Sequence, residues 1–150
     1  MKKFHFPLST VLDYKQQVLD ALQGEHALIL VQVREQEEVL EGLHRQYRAY
    51  NEEYRTRKYE GLSISEALMY QNGLRALERQ IAQENKRLEE LRKLEEQKRS
   101  QVVEAKKETS SIEKLREKKL DQYNKAVQKS EEAFIDEFVS TTRASQAVGD

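Results

Sequence analysis

The stretch YNEEYRTRKYEGLSISEALMYQNGL, residues 50–74, decides the fold. Up to Tyr54 it closes one ladder of regularly spaced apolar residues, at Gly61 the ladder stops, and from Ala67 a second ladder begins. Gly61 is the residue type that a helix C-terminus favours. Ser63, with Glu66 three residues later, has the spacing of a capping box that opens a new helix. The stretch therefore reads as the end of one helix, a short turn and the start of another.

Working outward from the turn, positions 54, 50, 47, 43, 40, 36, 33, 29, 26, 22, 19, 15, 12 and 8 alternate steps of four and three. Eleven of those fourteen are apolar: Leu8, Leu12, Leu19, Leu22, Ile29, Val33, Leu40, Leu43, Tyr47, Tyr50 and Tyr54. In the other direction, ten of the fourteen positions 67, 70, 74, 77, 81, 84, 88, 91, 95, 98, 102, 105, 109 and 112 are apolar. A stripe with a mean period near 3.5 keeps one helix seam against another. The expected fold is all-α: two long helices in an antiparallel coiled-coil hairpin, forming a single coiled-coil domain over residues 1–150. Helix one is predicted over about 7–57, the turn over about 58–63 and helix two over about 64–140, with a frayed C-terminal tail after Thr141-Thr142. Pro7 suits the first helical turn. At about 1.5 Å per residue the two arms are expected to be roughly 75 Å and 110 Å long, a rod without a pocket.

Antiparallel pairing about a turn near Leu62 sets Tyr54 against Tyr70, Tyr50 against Leu74, Tyr47 against Leu77 and Leu43 against Ile81. Helix one runs out where Leu8 meets Arg116, so helix two is longer and overhangs, and residues from about 116 onward have no partner in this pairing. The overhang keeps an apolar stripe of Leu120, Tyr123, Val127, Phe134, Ile135, Phe138 and Val139. A lone helix is marginal in water unless one face is buried, so this stripe points to another protein.

Composition narrows the function further. Charged residues make up 35% and apolar residues 37% of the chain, with one Pro, five Gly and no Trp, which together with heptad spacing is coiled-coil chemistry. The net charge of −1 gives no overall pull toward nucleic acid. Its distribution is uneven: residues 86–129 carry 14 basic against 9 acidic side chains, and residues 131–150 carry 5 acidic against Arg143 alone. Cysteine is absent, which fits a reducing compartment. No apolar run reaches the ~20 residues of a membrane span, and the start, Met1 to Pro7, has the charge of a signal peptide without its apolar core. A cytoplasmic location is expected.

Candidate chemistry is sparse. His5, His26 and His44 have no partner at the spacing of a metal motif, and His26 is expected on the seam opposite Lys98, where it reduces stability and helps set register. Carboxylates on a solvated surface lack the desolvation that tunes a general acid. There is no glycine-rich phosphate loop and no Ser/His/Asp set. The expectation is no catalytic residue, no metal, no cofactor and no small-molecule substrate. Tyr47, Tyr50, Tyr54, Tyr59 and Tyr70 crowd the turn and serve either as seam residues or as interface anchors. Gly73 costs about 1 kcal/mol in a helix interior and suggests a close approach. The run Lys114-Leu115-Arg116-Glu117-Lys118-Lys119 has interspersed acids and reads as a solvated face or a contact for an acidic protein surface rather than a nucleic-acid site.

Four pieces carry a resemblance. They are the opening Phe4-x-Phe6-x-Leu8-x-x-Val11-Leu12, the run from Glu37-Glu38-x-Leu40-x-x-Leu43 through Tyr50, the run from Tyr70-Gln71 through Leu77-Glu78-x-x-Ile81, and the ending Asp136-Glu137-Phe138. In order, spacing and length the chain resembles the flagellar FliJ family, small coiled-coil stalk proteins of the flagellar type III export ATPase complex. The resemblance implies a non-enzymatic stalk and adaptor whose joined terminal end docks into the hexameric export ATPase, promotes its ring assembly and activity, and links it to the export gate. The ATPase-docking residues it implies are Phe4, Phe6, Leu120, Tyr123, Val127, Phe134, Ile135, Asp136, Glu137 and Phe138. The cytoplasmic domain of the gate membrane protein would be met by Val39, Leu43, Gln46, Tyr50, Gly73, Leu77, Gln80 and Glu84. Leu43, Tyr50 and Leu77 match the family in character, whereas Gln46 and Gly73 stand where some members carry aromatics, and Val39, Gln80 and Glu84 also differ. Export chaperones are further partners, and the protein would sit peripherally on the membrane at the flagellar base. Two other functions fit the same residues: an export chaperone holding flagellar subunits, and a purely structural, self-associating coiled coil.

Overall fold

The computed structural model describes residues 2–149. It contains two helices, α1 (Ser9–Glu60) and α2 (Ile64–Gly149), packed against each other in antiparallel sense, with α2 the longer. No strand occurs among the described residues. The all-α hairpin is the fold that the two ladders predict.

The turn is built from the residues that announced it. Gly61 adopts φ 106°, and its N–H reaches the carbonyls of Arg57 (3.0 Å) and Lys58 (3.3 Å), closing α1 in a left-handed cap. The Ser63 hydroxyl accepts the Glu66 N–H at 3.2 Å and starts α2. Glu66 then turns its carboxylate to Arg57 across the turn, at 3.3 Å. The helix therefore runs on to Glu60, three residues past the predicted end at Arg57, because Gly61 rather than the charged residues before it supplies the stop. At the other end Pro7 lies in the turn just before α1.

Thr141-Thr142 does not end α2, contrary to expectation. Their hydroxyls donate to the carbonyls of Glu137 (2.9 Å) and Phe138 (2.8 Å), one turn back. A threonine satisfied in this way sits inside a helix, and α2 continues to Gly149.

By its contacts the chain divides into two compact units. The unit of residues 20–103 contains the turn and most of the paired seam. Val33, Leu40 and Leu88 form its buried cluster, with Ile29, Ile81 and Leu91 packed around them. Tyr54 stacks on Tyr70 (ring centroids 5.2 Å, planes 6° apart), Tyr47 donates to Glu78, and Arg92 meets Glu37 at 3.4 Å, so the pairing keeps the expected register. Gln36 is the polar layer of this seam: it is 6% exposed and donates to the Glu84 carbonyl and carboxylate. His26 does not oppose Lys98 as a mismatched pair. Its Nε2 lies 3.0 Å from Glu95, one turn before Lys98, while Lys98 reaches Glu25, the neighbour of His26, so each takes an opposite charge.

The unit of residues 1–19 and 104–150 is held by Leu19, Phe6 and Thr109, all nearly buried. The Thr109 hydroxyl donates to Ala105 O at 2.8 Å, and Lys15 bridges Glu108 at 2.8 Å. Here the structure corrects one expectation: α2 beyond residue 116 does have a partner in its own chain. The arm before α1 runs forward along α2, so Phe4 packs on Tyr123 (5.6 Å, 53°), Arg116 lies 5.8 Å over the Phe4 ring, and Tyr123 donates its hydroxyl to the Lys2 carbonyl. An extended arm advances about twice as far per residue as a helix, which is how five residues gain more than a turn of α2.

Candidate functional site

Among the described residues, no group of three or more His, Cys, Asp or Glu side chains is arranged to hold a metal ion, and no helix is long and apolar enough to cross a membrane. The surfaces of interest are apolar and aromatic.

The first is the end of α2. Phe134 is 70% exposed, Phe138 65%, Ile135 57% and Val139 40%, and Asp136 and Glu137 are exposed between them. Steps of one, three and four place the four apolar residues on one helix face, and nothing among the described residues covers it. The expected docking set divides at this point. Phe134, Ile135, Asp136, Glu137 and Phe138 form the open strip. Phe6 is buried, Phe4 and Tyr123 are engaged with each other, and Leu120 and Val127 are half-buried. The arm also shapes a cleft of about 570 Å³ lined by Lys2, Lys3, Phe4, His5, Pro7, Lys119 and Tyr123.

The second is the flank near the turn. Of the residues expected to meet the gate, Leu43 is buried in the seam and Tyr50, Gly73 and Leu77 are half-buried, whereas Val39, Gln46 and Gln80 face solvent. Val39 and Glu84 line one groove with Gln32, Glu35, Gln36, Arg87 and Leu91. Tyr50, Tyr70 and Tyr54 form a continuous aromatic set beside Gly73: Tyr50 and Tyr70 centroids are 5.1 Å apart, and the Tyr50 hydroxyl donates to Met69 O at 3.4 Å. Ile64 (83% exposed), Met69 (68%), Leu68 (52%) and Tyr59 (95%) leave apolar surface around this end. Ile64, Leu68 and Met69 were not singled out from the sequence; the signal was present, since each is an apolar residue off the ladder.

The close approach at Gly73 is real. A Cβ there would lie 2.6–2.9 Å from the Tyr50 ring end. The ring can swing aside only by leaving Tyr70, a contact worth about 0.5–1.5 kcal/mol, which offsets the gain of about 1 kcal/mol from alanine in a helix. Gly73→Ala is therefore expected to leave stability within about 0.5 kcal/mol of the parent, but to stabilise a Tyr50→Ala background by about 1 kcal/mol. A double-mutant cycle by urea unfolding measures the difference. Equal effects in both backgrounds would show that the ring does not sense residue 73.

Three groups at cross-helix contacts titrate above their ordinary values. Tyr47 is raised by donating its hydrogen bond to Glu78, and then by loss of solvent. Tyr70 is raised by loss of solvent and then by its bond to Glu53, and Lys15 by its bond to Glu108. A folded pKa above the unfolded one means that the stabilisation is fully present below the unfolded value and is lost as pH rises through the folded value. Through these groups, stability is expected to be insensitive to pH near neutrality and to fall above the ordinary tyrosine value of 10.0. The double variant Tyr47→Phe/Tyr70→Phe should lose less than the parent between about pH 9 and about pH 11 in urea titrations followed by helicity. An identical loss would assign the alkaline transition to other groups.

No curated relative and no solved structure matches the chain. A family model does, the one described as flagellar FliJ protein, and it spans residues 4–147, from the arm through both helices to beyond the exposed strip. The chain belongs to the flagellar FliJ family and has the flagellar export-related role of that family.

Proposed function

We propose that the protein is a non-enzymatic stalk and adaptor of the flagellar type III export apparatus, acting in the cytoplasm at the membrane base of the flagellum. It docks into the hexameric export ATPase, favours ring assembly and activity, and connects the ring to the cytoplasmic domain of the export gate. Hydrolysis takes place on the ATPase; this chain contributes a surface that ring subunits engage. The observation that carries the reading is the uncovered strip Phe134, Ile135, Phe138 and Val139 with Asp136 and Glu137 between them. Such rigid aromatic groups on an exposed helix face are interface anchors.

The arm residues support the strip rather than joining it. Phe4 packs on Tyr123 at the start of the overhang and Phe6 is buried, so that α2 emerges at a defined position. Toward the gate, Val39, Gln46 and Gln80 are the direct contacts, with Glu84 in the adjoining groove, while Leu43 and Leu77 act by keeping the seam closed. The test is the rate of the cognate export ATPase with the full chain, with residues 1–129, and with Phe134→Ser/Phe138→Ser.

A further inference from the structure

Beyond its pairing with α1, the apolar face of α2 is one stripe. Leu120, Tyr123, Val127, Phe134 and Phe138 follow one another at steps of three, four, seven and four, which keeps them on one side of the helix. Its two ends differ: Leu120, Tyr123 and Val127 are half-buried, whereas Phe134 and Phe138 are 70% and 65% exposed. At Tyr123 the cover is the arm, whose residues 2–6 form neither helix nor strand. Exposure alternates along it. Lys3 and His5 face solvent, Phe4 is half-buried, and Phe6 is 5% exposed, with its carbonyl accepting the Ser9 N–H at 3.1 Å. Phe6 is thus the anchored end of the arm, and Phe4 belongs to its free end. Two opposed forces act on that free end. The Phe4 ring packs 5.6 Å from Tyr123 and 5.8 Å from the Arg116 guanidinium, and the Tyr123 hydroxyl donates to the Lys2 carbonyl. Against these contacts, Lys2, Lys3 and His5 share a cleft with Lys119, and among the described residues no acidic side chain lines it. Closing the arm therefore brings like charges together, which opposes closure.

We propose that residues 2–5 form a releasable strap on this stripe, hinged at Phe6, latched by Phe4 on Tyr123 and closed in the free chain. With the strap closed, the open strip begins at Phe134. With the strap released, it begins at Tyr123, eleven residues or about 16 Å of helix earlier. A partner that reads the stripe back to Tyr123 must displace the arm, so its apparent affinity is reduced by the fraction of chains whose strap is open. The strap stands on the contacts of this chain alone; its effect on docking rests on the ATPase reading.

Nitration of tyrosines by tetranitromethane, mapped by peptide mass, reads the strap in the full chain, with Tyr59, 95% exposed, as the internal standard. Tyr123 is expected to react about tenfold more slowly than Tyr59 in about 0.05 M salt. It should react more slowly still in about 0.5 M salt, where the repulsion between Lys119 and the arm is screened. Phe4→Ala should bring Tyr123 within about twofold of Tyr59, with helicity unchanged because residue 4 lies outside both helices. Lys2→Cys/Lys119→Cys, in a chain without cysteine of its own, allows the strap to be locked with a short bismaleimide. Locking should slow Tyr123 further than in the same variant left unlinked. The locked chain should also need about tenfold more protein than the unlinked one for half-maximal stimulation of the export ATPase. Tyr123 as reactive as Tyr59 in the parent overturns the proposal, since the arm would not cover it. Equal protection in the parent and Phe4→Ala does so too, as does an equal Tyr123 rate in the locked and unlinked chains, which would mean that the strap never opens. Equal half-maximal concentrations for those two chains overturn displacement by the partner. If no form of the chain stimulates the ATPase, the docking reading fails while the nitration rates still decide the strap.

Discussion

Leu40→Ala is expected to lower the unfolding free energy by about 2–4 kcal/mol and the melting temperature by roughly 5–12 °C. Leu40 is 6% exposed and sits with Val33 and Leu88 at the centre of the buried cluster, where Ile29, Ile81 and Leu91 converge. Truncation to alanine removes buried methyl groups and leaves a void that two rigid helices cannot close by moving only locally. A hairpin of two helices has one layer of core, so no second layer shares the loss. Net stabilities of folded domains are about 5–15 kcal/mol, so this one change removes a large share. Leu28→Ala, at a residue 66% exposed on the same helix, should change stability by no more than about 0.5 kcal/mol. Thermal and urea unfolding of the two variants in parallel measure the contrast. Similar effects at both positions would mean that the seam is not the source of stability.

The second large effect lies at the exposed strip of α2 and spares stability. Phe134→Ser/Phe138→Ser removes two side chains that are 70% and 65% exposed. Helicity and melting temperature should therefore stay with the parent, while stimulation of the export ATPase falls by at least tenfold, the loss expected when anchors worth about 2 kcal/mol or more are removed from an interface. Residues 1–129 should behave in the same way. One control sharpens the reading. Val39→Ala/Gln46→Ala, on the exposed flank, should leave ATPase stimulation intact and weaken binding to the cytoplasmic gate domain. Stimulation undiminished in both the double serine variant and the truncation would remove the docking role from this strip, whatever the outcome at the gate.

These two predictions rest on opposite kinds of information. The seam was legible because a single helix reports it: with 3.6 residues per turn, side chains three and four apart share a face whatever lies opposite. Every position of the second ladder, and all of the first except Leu8, is buried or half-buried. Even the polar members fit, since Gln36 and Thr109 lie on the ladder and are among the most buried side chains. The turn was legible for the same local reason, Gly61 and Ser63 acting on backbone groups within a few residues of themselves. The apolar strip after residue 130 was visible as a stripe left over when the shorter helix ran out.

By itself, then, the sequence determined the all-α class, the antiparallel register and the face that each helix turns inward, because these follow from periodicity and from one turn. Only the tertiary structure decided what the long-range and ambiguous residues do. Nothing near Lys2 signals that its carbonyl meets Tyr123, a contact across 121 positions of chain. Periodicity sets His26 opposite Lys98, yet His26 takes Glu95, one turn from Lys98, and Lys98 takes Glu25, the neighbour of His26, because charged side chains follow charge rather than register. Thr141 and Thr142 look like a stop until their hydroxyls find carbonyls one turn back. Periodicity fixes which face is buried; which side chain meets which charge, and how far the overhang is covered, depend on distances that exist only once the two helices and the arm have come together.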